Sequence, residues 1–410
     1  MKLNSKTLLY PTPPGATSAY EYSYYGKPAG FDKVRVRYLD VADDIFDGGQ
    51  LSFSTDNGAT WGETRPYGEA RQVDDGTLRT FDGLGFVDPV NGLLVNLYLE
   101  GLFTGLNSLE GMSQYYLKYR VSADGGRTSL VDAQVIQRDP PGKPGTYTPR
   151  HPIEYVWIGK NCMSMAANQP MLRTRQGHLA VAISITVLDQ DGMPANPGGG
   201  FTWMEELILI GHWREDGSGH IDWECGPRLA LAPEQSTRGL DESAMTLLPD
   251  GRLLLVMRAS NGGANDPEFH VPGYKWYSIS DDGGFTWSEL QPWRYHDGEV
   301  FYSPASMCVI ISHSNGHYYW VGNICPANPR ANHPRFPLFC GQIDPRSGLL
   351  RRETLFVIEN RQPGESELLQ FSNFSVHEDR ATGELIIEMP RFMPEGESWT
   401  GDTYMYRLEV

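Results

Sequence analysis

Cysteine, basic charge and long apolar runs are all scarce in this sequence. The five cysteines are odd in number and scattered over 410 residues, which favours free thiols in a reducing compartment over a disulfide framework. Lys and Arg number 34 against 51 Asp and Glu. The net charge of −17 excludes broad nucleic-acid binding, because no basic surplus is present to displace counterions from phosphates. The longest apolar run, around residues 179–188, is too short to span a bilayer.

These absences also set the expected location and partners. The N-terminus has no apolar stretch followed by a small-residue cleavage site, so we expect a cytoplasmic protein unless a leader has been removed. We expect neither a nucleic-acid nor a membrane partner, and the sequence leaves the oligomeric state open. An anionic small substrate requires a local cluster of arginines to overcome the acidic field of the chain.

Glycine, proline and aromatic residues are abundant instead. The chain has 45 Gly, 29 Pro, 10 Trp, 21 Tyr and 16 Phe, a composition typical of short strands and many turns rather than of a helical bundle or a disordered chain. A Ser-x-Asp-x-Gly-x-Thr pattern occurs three times, starting at Ser54, Ser122 and Ser280. Each copy follows a β-type run, so each predicts a hairpin turn between outer strands in which the Asp is structural.

A longer unit repeats an apolar strand, a Gly-containing turn and a second apolar strand. Its five copies span residues 81–100, 168–186, 241–258, 302–323 and 371–391, and a shorter relative spans 33–61. Six such units predict an all-β fold, a six-bladed β-propeller of four-stranded antiparallel blades that forms a single domain over residues 1–410. The last unit is one strand short, so we expect residues 6–10 to supply its outer strand and close the ring.

The repeated turns and the segment 241–258 resemble the sialidase superfamily, the Asp-box (BNR-repeat) glycoside hydrolases with a six-bladed propeller. The resemblance implies that Glu242 corresponds to the glutamate that activates the sialidase nucleophile. It also implies that Arg258 and Arg335 correspond to two arginines that bind the substrate carboxylate.

Two positions depart from the sialidase pattern. Phe371 stands where sialidases have their nucleophilic tyrosine, so a standard tyrosine-nucleophile reaction is not expected. The arginine of the first blade has no clear counterpart, and only Arg35 and Arg37 lie near its place.

The propeller geometry predicts which side chains meet at the central pocket. The inner strand of each blade starts at the face where the second strand ends, so residues at these positions form a ring. The predicted starts are Asp82, Gln169, Glu242, Tyr302 and Phe371 with Ser372. The predicted ends are Glu100, Ser184 or Thr186, Arg258, Asn323 and Arg391.

Cleavage of a glycosidic bond requires a proton donor and a second carboxyl as base or nucleophile. The candidate catalytic residues are Glu242, with Asp82, Asp44 or Glu100 as the second carboxyl and Tyr302 as a further proton donor. Arg258 ends an apolar strand without an acid close to it in the sequence, which favours a substrate contact. The candidate substrate-binding residues are Arg258, Arg335, Arg391, Asn323, Gln169 and Arg37.

The cysteines and histidines of residues 308–340 match no known zinc spacing, so we expect no metal and no cofactor. The function predicted is that of a sialidase-like exo-glycosidase, which hydrolyses a terminal acidic sugar from an oligosaccharide or glycoconjugate. The alternatives are a polysaccharide lyase that eliminates at a uronic acid, and a propeller that binds sugar without turnover.

Overall fold

Short strands separated by glycine turns form six antiparallel sheets, which are the blades of a ring. The computed structural model describes residues 1–42, 45–104, 114–160, 163–165, 171–396 and 398–410. Within these ranges no helix is long and apolar enough to cross a membrane. The predicted six-bladed propeller is confirmed.

The strands of the first three blades follow the chain. The N-terminal strand β1 (Lys2–Tyr10) belongs to the last blade. The first blade contains β2 (Ala19–Tyr25), β3 (Lys33–Ala42), β4 (Ile45–Ser54) and β5 (Arg65–Tyr67). The second contains β6 (Arg71–Val73), β7 (Gly76–Asp82), β8 (Phe86–Val87), β9 (Leu94–Phe103), β10 (Gln114–Ser122) and β11 (Val131–Gln134). The third contains β12 (Met163–Met165), β13 (Leu172–Arg173), β14 (Leu179–Ile185), β15 (Glu205–Trp213) and β16 (Ile221–Leu229).

The last three blades complete the ring. The fourth contains β17 (Asp241–Leu247), β18 (Leu253–Arg258), β19 (Lys275–Ser280) and β20 (Gln291–Pro292). The fifth contains β21 (Val309–Ser312), β22 (Tyr318–Asn323), β23 (Leu338–Ile343), a 3-10 turn (Arg352–Thr354) and β24 (Phe356–Glu359). The sixth contains β25 (Gln370–Phe371), β26 (Ser375–Glu378), β27 (Leu385–Phe392) and β28 (Thr403–Glu409).

The ring is closed by the N-terminal strand, as predicted. β1 pairs antiparallel with β28, with Lys6 opposite Tyr406, and so becomes the outer strand of the sixth blade. The chain then crosses to the first blade, where the Ala19 N–H donates to the carbonyl of Gly401 at 3.0 Å. The contact between the first and sixth blades therefore joins the two ends of the chain.

The first unit begins earlier than the sequence pattern indicated. Residues 33–61 cover β3 and β4, whereas the inner strand of this blade is β2, upstream of them. β2 alternates tyrosine with glutamate and serine, so it lacks the apolar run by which the other inner strands were recognised. Tyr22 packs among the apolar residues shared with the second blade, whereas Ser23 hydrogen-bonds to the sixth blade. Both faces of β2 are buried, but only one is apolar.

The second strand of each blade supplies most of the core. In β18, Leu254 and Val256 pack toward the fifth blade, whereas Leu253 and Leu255 pack toward the third. All four are fully buried, and burial of each such side chain contributes about 2 kcal/mol. Because successive side chains of a strand point to opposite faces, one strand fills two contacts between blades.

The three predicted outer hairpins are present between the third and fourth strands of the first, second and fourth blades. In the last of them, the Asp282 carboxylate accepts hydrogen bonds from the backbone N–H of Thr286 at 2.9 Å and from its hydroxyl at 2.6 Å. The Ser280 hydroxyl accepts the N–H of Gly284 at 2.8 Å. The carboxylate is therefore used by the turn itself, which supports the structural role predicted for these aspartates.

Candidate active site

A β-bulge at the start of β17 sets the position of Glu242. Asp241 pairs with Arg258 across the strands, but the next register pair joins Ala244 to Val256, so β17 carries one extra residue. Glu242 has a φ of 44°, a left-handed conformation that costs a non-glycine residue about 1 kcal/mol or more. Its side chain is 32% exposed. The bulge thus directs a carboxylate toward solvent at the start of an inner strand.

Two hydrogen bonds hold this strained turn. The Glu242 N–H lies 2.7 Å from Oδ1 of Asp241 and 3.2 Å from Oγ of Ser184 on the neighbouring blade. Because one donor is shared between two acceptors from different strands, the turn is tied to both the third and fourth blades.

Arg258 binds the two acids at the start of β17. Its Nη1 lies 2.5 Å from Oε2 of Glu242 and 3.7 Å from Oδ2 of Asp241. The guanidinium is 7% exposed. Sequence proximity showed no acid near Arg258, but the antiparallel pairing of β17 with β18 places Asp241 directly opposite it. In the structure Arg258 therefore compensates the negative charge of Asp241 and Glu242.

Two further cations act on Glu242. Lys275 is opposite Arg258 in the β18–β19 pairing, is fully buried and donates to the carbonyl of Ser306. Arg335 is also buried, and donates to the carbonyl of Ala305 at 2.6 Å. Burial alone would raise the pKa of Glu242, but the charges of Arg258, Arg335 and Lys275 hold that pKa below its ordinary value.

The carboxyls beside Glu242 are shifted in the opposite direction. Burial raises the pKa of Asp241 above its ordinary value, against the charge of Arg258 and with that of Glu242. Glu206, at the start of β15, is fully buried, and burial together with the charge of Asp241 raises its pKa to about 8. The site thus contains an accessible Glu242 whose pKa is lowered, next to Asp241 and Glu206 whose pKa values are raised, a separation typical of acid–base pairs.

Asp241 and Glu206 were not among the predicted catalytic residues. Asp241 directly precedes the residue that was chosen in the same segment. Glu206 belongs to a Glu-Glu pair that opens the buried strand β15, whose following residues are apolar. An acidic residue at the start of an apolar strand is a pattern in the sequence that could have identified both Asp241 and Glu206.

Asp82 lies elsewhere. Its carboxylate is 2% exposed and lies 3.4 Å from both the Tyr38 hydroxyl and Nη1 of Arg120, between the first and second blades. Among the described contacts of Asp82 none is with Glu242. Glu100 lies 3.9 Å from Lys118 in its own sheet. The carboxyl that adjoins Glu242 is therefore Asp241, and Asp82 or Glu100 as the second catalytic carboxyl stays a prediction. The candidates Asp44 and Gln169 lie outside the described residues.

Arg391, the third arginine predicted to bind a substrate carboxylate, is paired with an acid of the protein. Arg391 forms an ion pair with Glu365 at 2.8 Å, and its guanidinium lies 5.6 Å from the centre of the Phe371 ring. These positions are opposite each other in the β25–β27 pairing, so their side chains share a face. Phe371 is fully buried in the core between the fifth and sixth blades, and a substrate contact of Arg391 stays a prediction.

Two other predicted substrate contacts are engaged within the protein. The Asn323 amide is fully buried and donates to the backbone carbonyls of Arg335 and Phe371 at 3.0 and 3.3 Å. Arg37 is bound to the carboxylate of Glu21. The structure gives Asn323 the role of positioning the Arg335 loop, and it places Arg37 between the first and sixth blades.

Tyr302 is half-buried and stacks on Tyr274, with ring centres 5.5 Å apart and an angle of 17° between the rings. Tyr274 directly precedes Lys275 in the chain, so the pair lies next to the cations that act on Glu242. In the part of the chain that is described, no three His, Cys, Asp or Glu side chains are placed to hold a metal ion.

Known proteins resemble this chain in structure but not detectably in sequence. No family model and no curated protein sequence matches it. The NanB sialidase of Streptococcus pneumoniae superposes with a TM-score of 0.58 at 10% identity, over 100% of this chain and 71% of that one. The intramolecular trans-sialidase of Ruminococcus gnavus gives 0.59 at 12%, over 99% and 97%.

A third similar structure has another specificity. The GH93 α-L-arabinofuranosidase of Fusarium graminearum gives a TM-score of 0.55 at 12% identity, over 100% of this chain and 98% of that one. The fold is therefore the six-bladed propeller that is shared by sialidases and this arabinofuranosidase, as the sequence resemblance implied. At these identities the likeness establishes the fold alone.

Proposed function

We propose that this protein is a glycoside hydrolase that removes a terminal acidic sugar from an oligosaccharide or glycoconjugate. The observation that carries the proposal is the opposite shift of neighbouring carboxyls: the pKa of the accessible Glu242 is held below its ordinary value, whereas burial raises the pKa of Asp241 above its own. Hydrolysis of a glycosidic bond needs one carboxyl that gives a proton and one that acts as base or nucleophile. The glycosidases with the same fold support this reaction class.

In this proposal Asp241 donates a proton to the leaving oxygen. Glu242 acts from the opposite protonation state, either as the base that activates water or as the nucleophile. Arg258 keeps Glu242 ionised. Phe371 is enclosed in the core and lacks a hydroxyl, so the reaction does not use a nucleophile at that position.

The acidic sugar is inferred from charge. Arg258, Arg335 and Lys275 together place three cationic side chains near Glu242 in a chain whose net charge is −17. When Glu206 and Asp241 retain a proton, this surplus attracts an anionic substrate group.

The test is to incubate the purified protein with oligosaccharides that end in sialic acid, a uronic acid or arabinose, and to measure product masses. Products that gain one water per cleavage support the proposal, and their loss in Glu242→Gln assigns the residue. Glu367→Gln is the matched control, because that side chain is 88% exposed. Products whose masses sum to that of the substrate would indicate a lyase, and binding without cleavage would indicate a sugar-binding protein.

A further inference from the structure

Glu206 is a buried acid that the proposed hydrolysis does not itself use. Its Oε1 accepts the Ser184 hydroxyl at 3.0 Å, and the whole side chain is buried. The hydroxyl of Ser243 on β17 also acts on this carboxyl and lowers its pKa, but burial outweighs that effect. An ionised carboxylate in such a place costs several kcal/mol, whereas the neutral acid costs much less. The environment therefore favours a protonated Glu206.

In the described part of the chain, the charged groups with the largest effect on the pKa of Glu206 are both acidic. Ser184 is its partner across β14, and Leu229 is opposite it on β16. The titratable groups that act on it are Asp241 and Glu242, both acidic. Two like charges from β17 thus oppose ionisation of Glu206.

Ser184 connects Glu206 to the strained turn. The Ser184 hydroxyl donates to Glu206, which leaves its oxygen lone pairs to accept the N–H of Glu242 at 3.2 Å. The hydrogen bonds run in one direction, from the Glu242 amide through Ser184 to the Glu206 carboxyl.

We propose that Glu206 is a positioning residue, which stores a proton behind Asp241 and fixes the Glu242 turn through Ser184. This inference rests on the proposed hydrolysis for its role in turnover. After Asp241 has given its proton to the leaving oxygen, the proton of Glu206 passes to Asp241. When Glu242 acts as the base, the proton of the attacking water passes to Glu242 and then to solvent, and Glu206 regains one from solvent. One water is consumed and the number of bound protons is restored.

The variant that tests the proton store is Glu206→Gln. Glutamine keeps an oxygen that accepts the Ser184 hydroxyl, but it has no proton to transfer. The matched control is Glu205→Gln, because Glu205 is the preceding residue of the same strand and instead binds Arg228 at 2.9 Å. We expect the alkaline limb of kcat/KM to move to lower pH by about one unit in Glu206→Gln, which is about a tenfold loss on that limb. In Glu205→Gln the limb is expected to stay in place.

An infrared measurement tests whether Glu206 is protonated, and it does not require enzyme turnover. The difference spectrum between wild type and Glu206→Gln at neutral pH is expected to contain the carbonyl stretch of a protonated carboxylic acid, and that with Glu205→Gln is not. Absence of this band from the first spectrum overturns the proposal, as does an unmoved alkaline limb in an active enzyme. If no oligosaccharide is hydrolysed, the proposed function fails, while the infrared result still accepts or rejects Glu206 as a protonated acid.

Discussion

Glu388 gives the contact between the first and sixth blades a pH-dependent stability. It lies on β27, is 4% exposed, and accepts hydrogen bonds from the backbone N–H of Ser23 at 2.6 Å and from the hydroxyls of Ser23 and Ser375 at 2.8 and 3.0 Å. Burial, with a contribution from the charge of Glu21, raises its pKa to about 7, although the Ser23 bonds and Lys33 oppose the shift. We predict that Glu388→Gln removes this dependence.

The sign and size of the pH-dependent change in stability follow from the difference between the folded and unfolded pKa values of Glu388. The pKa of Glu388 rises from an ordinary value of 4.5 to about 7 on folding, so the folded state holds the proton more tightly than the unfolded chain. The resulting stability is fully present below the unfolded pKa and is lost as pH rises through the folded pKa. At about 1.4 kcal/mol per pH unit, the stability of wild type relative to Glu388→Gln should fall by about 3 kcal/mol between about pH 4.5 and pH 8.

The assay is urea unfolding followed by tryptophan fluorescence at a series of pH values within that range. Other titrating groups affect both proteins alike, so the difference between wild type and Glu388→Gln isolates Glu388. Glu367→Gln, at an exposed position, serves as a control whose difference from wild type should not change with pH. A constant difference between wild type and Glu388→Gln across the series would refute the reasoning.

Three further predictions concern the site, a turn and the ring closure. In Arg258→Gln the pKa of Glu242 should rise because its main cation is lost, so the acidic limb of the pH–rate profile moves to higher pH, and an unmoved limb would reject this pairing. Asp282→Ala should lower the free energy of unfolding by about 1 kcal/mol, because the exposed N–H of Thr286 exchanges its carboxylate acceptor for water, while kcat/KM stays unchanged. Deletion of residues 1–10 should expose the edge of β28, which light scattering would detect as aggregation; a monomer with unaltered thermal stability would contradict it.

The repeats made the fold predictable from sequence. The apolar strands, the glycine turns and the three Ser-x-Asp hairpins are local features that can be read from the sequence. Six copies of the strand–turn–strand unit predict a six-bladed propeller, in which the apolar strands of all six are buried. The inner strand of the first blade, β2, was missed, and it buries one polar face against the sixth blade. Its burial depends on Glu388, more than 360 residues away, and no local pattern records such a partner.

The site was predicted only in part. Glu242 and Arg258 were identified through the resemblance of the segment 241–258 to the sialidase superfamily, and the structure joins their side chains in an ion pair. Arg391 and Asn323 were predicted to bind substrate because each lies at the end of a strand. That position defines the end of the blade at which a residue lies, but not the face of the sheet on which its side chain lies. Because side chains alternate between faces, the same position can lead to the central pocket or into the core.

By itself the sequence determined the class of fold, the number of blades and the turns that close them, because each depends on the chemistry of a few consecutive residues. The acid at the start of the fourth blade was indicated by the resemblance of its segment to the sialidases. Only the tertiary structure decided which charges meet. Asp241, Glu206 and Lys275 reach Glu242 from three different strands. Their protonation is set by burial and by one another, and these are properties of the assembled ring.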